Sequence, residues 1–162
     1  MHETVITRDG LLRLSEELER LKTDGRRDIA ERLKQATGEP NLVENADYHD
    51  ARTEQALLER RIALLEWRLR SARLVEPQPG NGRVDVGERV RVRNLASGER
   101  LDLELVGPLE ADPVAGRISV ASPLGKAIEG LRRGEIADVD APRGRLQFRV
   151  LAVEPPAPAR AA

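Results

Sequence analysis

The chain has no cysteine and only three aromatic residues among 162, Tyr48, Trp67 and Phe148. The first absence excludes a disulfide framework and any thiolate metal site. The second excludes a large aromatic core and an aromatic-lined ligand pocket. No apolar run reaches membrane-spanning length, and no apolar signal core opens the chain, so a soluble cytoplasmic protein with no membrane partner is expected. A large charge of one sign is also missing. Lys and Arg number 27 against 28 Asp and Glu, a formal net charge of -1, which argues against a nonspecific nucleic-acid coat protein. What is abundant is charge itself, at 34 % of residues. Long solvated helices and modest cores follow, in one ordinary domain or two small ones.

Residues 9 to 75 read as two long helices. Leu11, Leu14, Leu18 and Leu21 repeat at helical spacing, and the pattern then loosens through Gly25 to Ile29, Leu33 and Ala36. The second helix is more regular: Tyr48, Ala51, Gln55, Leu58, Ile62, Leu65, Leu69 and Ala72 alternate three and four throughout. That is a heptad seam, and it requires a partner helix. The break Thr37-Gly38-Glu39-Pro40 permits only a tight reversal, so each helix is expected to pack antiparallel on the other. The resulting arm, residues 1–75, would be roughly 40–45 Å long at 1.5 Å rise per residue.

Glu-Pro-Gln-Pro-Gly-Asn-Gly at 76–82 is a linker by composition. Beyond it the period changes to two. Val84 and Val86, Val90 and Val92, and Leu101, Leu103 and Leu105 alternate with polar residues, the pattern of a half-buried antiparallel sheet. Ile118 and Val120, Ile136 to Val139, and Leu146 to Val153 make further strands, with a turn at Pro142-Arg143-Gly144. Ser122-Pro123 is an N-cap followed by Pro at the first helical position, opening a helix to about Leu131. Residues 83–154 thus form a small second domain and the fold class is α+β. The Pro/Ala-rich tail 155–162 is expected to be disordered.

The reversal carries a concentration of acid. Glu39, Glu44, Asp47, Asp50 and Glu54 surround a single basic residue, Arg52. A narrow arm with an acidic tip suits delivery of negative charge into a confined place that holds a metal ion. A plainer reading is open beside it: Asn41-x-x-Glu44 has capping-box spacing for the start of the second helix. His49, with no Cys or second His nearby, is not a metal site.

Leu42-Val43-Glu44-Asn45-Ala46-Asp47-Tyr48-His49-Asp50-Ala51-Arg52, with Glu54-Gln55 and Arg60-Arg61-Ile62, resembles the tip and second helix of the bacterial Gre transcript-cleavage factors, GreA and GreB. Gly82-Arg83-Val84, Val90 to Leu95 and Ile118 to Gly125 are similar to their C-terminal domain. The resemblance covers nearly the whole chain. It implies a coiled-coil arm followed by an FKBP-like domain, and a monomer whose partner is bacterial RNA polymerase. It also implies that the arm enters the polymerase's secondary channel, where acidic tip residues support the second Mg²⁺ while the polymerase hydrolyses backtracked RNA. The chain itself would then be no enzyme and hold no cofactor; the Mg²⁺ belongs to the polymerase active site.

Carried over to this sequence, the tip residues are Glu44, Asn41 and Asp47, with Glu44 the acid that supports Mg²⁺. Asn41 departs from the family, which usually carries Asp there. Asn keeps the shape but brings no charge and is a poorer Mg²⁺ ligand. Two functions stay open as a result: stimulation of cleavage, or a cleavage-defective channel occupant that inhibits or tunes polymerase. Arg26, Arg27, Arg52 and Arg60-Arg61 could contact phosphates of the extruded RNA 3′ segment. Equally, they could be a solvated face paired with Glu31, Glu54 and Glu59. Ser122, Pro123 and Leu124 would contact the polymerase. A prolyl-isomerase reading of the FKBP-like resemblance lacks an aromatic pocket, since Phe148 is the second domain's only aromatic.

Overall fold

The computed structural model describes residues 4–37, 45–78 and 80–158. Two compact units emerge. Leu12–Ser71 form one, and Met1–Leu11 together with Ala72–Ala162 form the other.

The first unit is a helical hairpin. Its outgoing limb is α1 (Arg8–Arg20), a π-helical turn at Leu21–Gly25, and α2 (Arg26–Thr37); its return limb is α3 (Ala46–Ser71). The seam positions are those with helical spacing. On α3, Tyr48, Gln55, Leu58, Leu65 and Leu69 are half-buried, and Ala51 and Ile62 are buried at 1 % and 2 % exposure. Leu14, Leu18, Leu21, Gly25, Ile29, Leu33 and Ala36 answer from the other limb. Four ion pairs fix the direction: Glu17–Arg61, Lys22–Glu66, Arg26–Glu59 and Arg32–Glu54. In three of them, Lys22–Glu66, Arg26–Glu59 and Arg32–Glu54, the partner's number falls as the first rises, as antiparallel limbs require.

The π-helical turn has a cause in the sequence. From Leu21 onward the seam residues are spaced by four, more than an α-helical turn supplies. One wide turn absorbs the excess and keeps the stripe facing α3. Gly25 sits at that turn because a side chain there would crowd the partner: an added Cβ would lie 3.2 Å from Leu58 Cδ1.

The second unit holds a five-stranded sheet in the order β5-β4-β3-β7-β6. Its strands are β3 (Arg89–Asn94), β4 (Arg100–Val106), β5 (Arg117–Ser119), β6 (Ile136–Ala141) and β7 (Gly144–Glu154). Alternation puts Val90, Val92, Leu103, Leu105, Ala137, Val139, Phe148 and Val150 on one face, in a buried core closed by Val84 and by Ile128 of α4 (Pro123–Ile128). The opposite face carries the charged residues of the same strands.

Several expectations are corrected here. The sheet is mixed, not antiparallel, because β5 pairs with β4 in parallel. A parallel neighbour cannot be reached by a tight hairpin. The chain instead returns through two 3₁₀ turns, Pro108–Glu110 and Pro113–Ala115. Val84 and Val86 do not make a strand: Arg83 forms a single bridge to Arg132, and Val84 inserts its side chain into the core. α4 stops at Ile128, short of Leu131, where the chain turns at Gly130 (φ 79°). The second long helix ends at Ser71 and not at 75. Ala72–Leu74 form β2, which pairs in parallel with β1 (Thr4–Ile6). The ends of the expected arm therefore belong to the sheet unit.

Candidate functional site

The tip of the hairpin is built by Asn45. Its Nδ2 donates to the Ala36 carbonyl at 2.8 Å, and its Oδ1 accepts from the Tyr48 N–H at 3.2 Å. One side chain thus satisfies the end of α2 and the start of α3 together. This corrects the capping expectation: the cap of α3 is Asn45, not Asn41. Asn41, Glu44 and Glu39 lie outside the described residues. Asp47 and Asp50 follow the cap on the first turns of α3, both exposed and with no ion pair to another described residue. Their charge is favourable at a helix N-terminus. Tyr48 is half-buried in the seam and meets the His49 ring edge-on, with centroids 5.7 Å apart. Among the described residues no cluster of three or more His, Cys, Asp or Glu side chains could hold a metal ion.

Along the stem, the candidate phosphate-binding arginines have local partners. Arg26 grips Glu59 through two hydrogen bonds of 2.9 Å, Arg27 pairs with Asp24 at 2.8 Å, and Arg52 donates to Gln55 at 3.0 Å. The Glu59 carboxyl is held below its ordinary range by the Arg26 hydrogen bond, and that of Glu66 by Lys22. All three arginines remain exposed.

Ser122, Pro123 and Leu124 come together as the opening turn of α4. Ser122 Oγ accepts from Gly125 N at 3.0 Å and donates to the Ser119 carbonyl at 2.6 Å, with Pro123 at the first helical position. Gly125 is required because a Cβ there would lie 2.0 Å from the Ser119 carbonyl oxygen. Beside this turn runs an open apolar groove of ≈ 350 Å³, walled by Pro113, Ile118, Leu124, Val139, Ala141 and Pro142. Phe148 is buried at 6 % exposure and is not among its lining residues.

Two acidic residues with no sequence signal stand out in the sheet unit. Glu110 is buried, and its carboxylate accepts from Thr7 N and Gly107 N, each at 2.9 Å, and from the Thr7 hydroxyl. Thr7 Oγ1 in turn accepts from Gly10 N at 3.1 Å, capping α1. Gly10 must be glycine: an added Cβ would fall 1.9 Å from Glu110 Oε1. Glu88 is also buried, accepting from Asp85 N at 3.0 Å, and burial pushes its carboxyl above the ordinary range.

Comparison with known proteins agrees with this architecture. Residues 4–74 match the family description "Transcription elongation factor, N-terminal", and residues 78–155 match "Transcription elongation factor, GreA/GreB, C-term". The chain is 40% identical over 152 residues to the transcription elongation factor GreA of Acetivibrio thermocellus, covering 93% of this chain and 96% of the relative. It is 39% identical over 153 residues to GreA of Syntrophomonas wolfei, covering 94% and 96%. The crystal structure of GreA factor homolog 1 (Gfh1) of Thermus thermophilus is 33% identical, covering 94% of this chain and 99% of that one, with a TM-score of 0.42, too loose a superposition to bear on the fold. Family descriptions cover both halves of the chain and the relatives are matched over nearly their whole length; the chain belongs to the GreA/GreB family of transcription elongation factors.

Proposed function

We propose that this elongation factor binds bacterial RNA polymerase at its secondary channel and supports Mg²⁺-dependent hydrolysis of backtracked transcripts by the polymerase. The observation that carries this reading is the tip. A long hairpin turns over at a segment in which Glu44, Asp47 and Asp50 add negative charge, and Asp47 and Asp50 are exposed with no ion-pair partner among the described residues. Carboxylates free of internal partners can be lent to a site elsewhere. Mg²⁺ takes oxygen ligands and keeps several waters, so one or two carboxylates from outside can complete its shell.

In this scheme Glu44 is the acid that faces the metal in the polymerase, and Asp47 adds charge one turn along α3. Arg26, Arg27 and Arg52 line the stem for phosphates of the displaced RNA 3′ end, exchanging their present partners for it. Exposed ion pairs are weak enough for that exchange. The FKBP-like domain acts as the docking module. Its apolar groove beside Ser122, Pro123 and Leu124 offers a surface that excludes water when a partner covers it.

Asn41 favours a second reading, a channel occupant that inhibits or tunes polymerase without stimulating cleavage. Asn45 already caps α3, so capping that helix does not explain Asn41. The neutral amide leaves the tip one carboxylate poorer than the family's usual pair.

The test is cleavage of stalled, backtracked elongation complexes with wild-type protein and Glu44→Gln, alongside a polymerase-binding measurement. The proposal expects cleavage that Glu44→Gln removes with binding nearly unchanged. Pro123→Asp should do the reverse and lose binding. Asp is well placed at a helix N-terminus, so folding is retained.

A further inference from the structure

The charged face of the sheet is arranged in rows, and one row differs from the others. Cross-strand register puts Glu104, Arg89 and Glu154 side by side on β4, β3 and β7. The next row places Asp102 beside Arg91, and they pair at 2.7 Å. Arg89 likewise pairs with Glu154 at 3.5 Å. In the third row Arg93 faces Arg100 on β4 and Arg149 on β7. Three arginines thus occupy adjacent register positions across three strands. Beyond Arg149 the row continues to Ile136, which is neutral. The nearest acids on this face, Asp102 and Asp138, are engaged by Arg91 and Gln147.

Arg100 and Arg149 are exposed, and neither has an ion pair to a described residue. Arg93 is half-buried on the strand between them, and its Nε is buried with no hydrogen-bond partner among the described residues. Like charges directly opposite one another in a sheet are destabilising, and an unsatisfied buried donor adds to the cost. The neighbouring rows show that this same surface accommodates acids at the equivalent positions. The sheet therefore carries a local penalty that an anionic ligand would remove.

We infer that Arg93, Arg100 and Arg149 form a binding site for phosphate groups. Neighbouring strands are roughly 4.8 Å apart, so the three backbones span only about 10 Å and the long side chains can converge on one phosphate or line up on successive ones. The planar guanidinium fork matches phosphate bidentately. No aromatic side chain shares this face, since Phe148 points into the core. The site therefore reads charge and not bases, and its affinity is salt-dependent and independent of sequence. The near-zero net charge of the whole chain hides it, because the compensating acids lie elsewhere. The site shares no residue with the hairpin tip or with the groove beside α4.

The experiment measures binding of the full chain to three probes at low salt: sodium triphosphate, a fluorescent DNA duplex of arbitrary sequence, and poly-glutamate. Wild type is compared with Arg93→Gln/Arg100→Gln/Arg149→Gln and with a stem control, Arg68→Gln/Arg70→Gln, two exposed arginines of α3 outside any proposed site. Binding of triphosphate or duplex that drops about tenfold or more in the triple variant but not in the stem control supports the site. Triphosphate alone would identify a free oligophosphate as the source, and duplex alone a nucleic-acid backbone, whose salt slope should fall by about 0.9 per arginine removed. A folding readout guards the result: Arg100→Glu should lose phosphate binding while raising the sheet unit's melting temperature, because it restores the acid–arginine pattern of the other rows. Phosphate binding equal in wild type and the triple variant would overturn the inference. So would absence of binding to both phosphate probes, or binding to poly-glutamate alone.

Discussion

The hairpin and the sheet unit are stabilised in opposite ways. Below a tenth exposed, the described hairpin has only Ala36, Ala51 and Ile62, whereas the sheet unit has a continuous core from Val84 to Val150. The hairpin makes up the difference with ion pairs at its edges, all of them exposed or half-exposed. The sheet unit instead buries its special polar groups, Glu110 and Glu88. A two-helix hairpin has little interior to fill, so a single seam and charged flanks are what the geometry leaves. The lesson is that the two units should answer differently to the same perturbation.

The sharpest way to break that contrast is through the seams. Ile62→Asp places a charge in the narrow hairpin interface, costing several kcal/mol. The helical transition should vanish while that of the sheet unit persists. Leu105→Ala should remove about 2–5 kcal/mol from the sheet unit alone. Both are read by thermal melts followed by circular dichroism and by hydrogen exchange. Simultaneous loss of both units in either variant would show that they fold as one.

A smaller effect is expected at the buried carboxylate. Gly10→Ala should displace Glu110 from Thr7 and Gly107, at about 1–3 kcal/mol for the donors left unmatched. Hydrogen exchange at Thr7 and Gly107 amides reads this directly, and protection unchanged from wild type would contradict it.

pH should separate the units by sign. Glu59 and Glu66 have lowered values, held down first by their hydrogen bonds to Arg26 and Lys22. Their contribution is present above the ordinary carboxylate value near 4.5 and is lost as pH falls through the lower folded values. Both groups are exposed, so the effect is modest and salt-sensitive. Glu88 is raised, first by desolvation, so stability is lost as pH rises from 4.5 through its folded value. Glu88→Gln should therefore raise the sheet unit's melting temperature at pH 7 and leave it unchanged at pH 4. Arg26→Gln should give the smallest change, a slight loss of hairpin stability that disappears at high salt.

Legibility in the sequence followed the range of the interaction. The α3 seam could be read residue by residue, because one heptad phase runs unbroken from Tyr48 to Leu69. Alternation placed Val90, Val92, Leu103 and Leu105 on the core face, and Ser122-Pro123 announced α4. What could not be read was long-range. β1 and β2 are three residues each and sit far apart in the chain, too short for any period to register. The Thr7–Glu110 contact spans 103 residues, and nothing local to Glu110 distinguishes it from a surface acid. The cap of α3 was misplaced because Asn41 and Asn45 both precede helical sequence, and only the position of Ala36 across the turn selects Asn45. Of the candidate site, Ser122, Pro123 and Leu124 assemble in one turn, while the stem arginines are engaged with neighbouring acids and Gln55.

In the proposed function the tip lends charge to a metal site in the polymerase, and Asn41 leaves it one carboxylate short. Cleavage rates of backtracked complexes, measured across Mg²⁺ concentrations for wild type and Asn41→Asp, test it most directly. Wild-type stimulation should be weak and partly rescued by added Mg²⁺. Asn41→Asp should raise the rate about tenfold, equivalent to roughly 1.4 kcal/mol of transition-state stabilisation. Robust wild-type cleavage at low Mg²⁺, unchanged by Asn41→Asp, would contradict it.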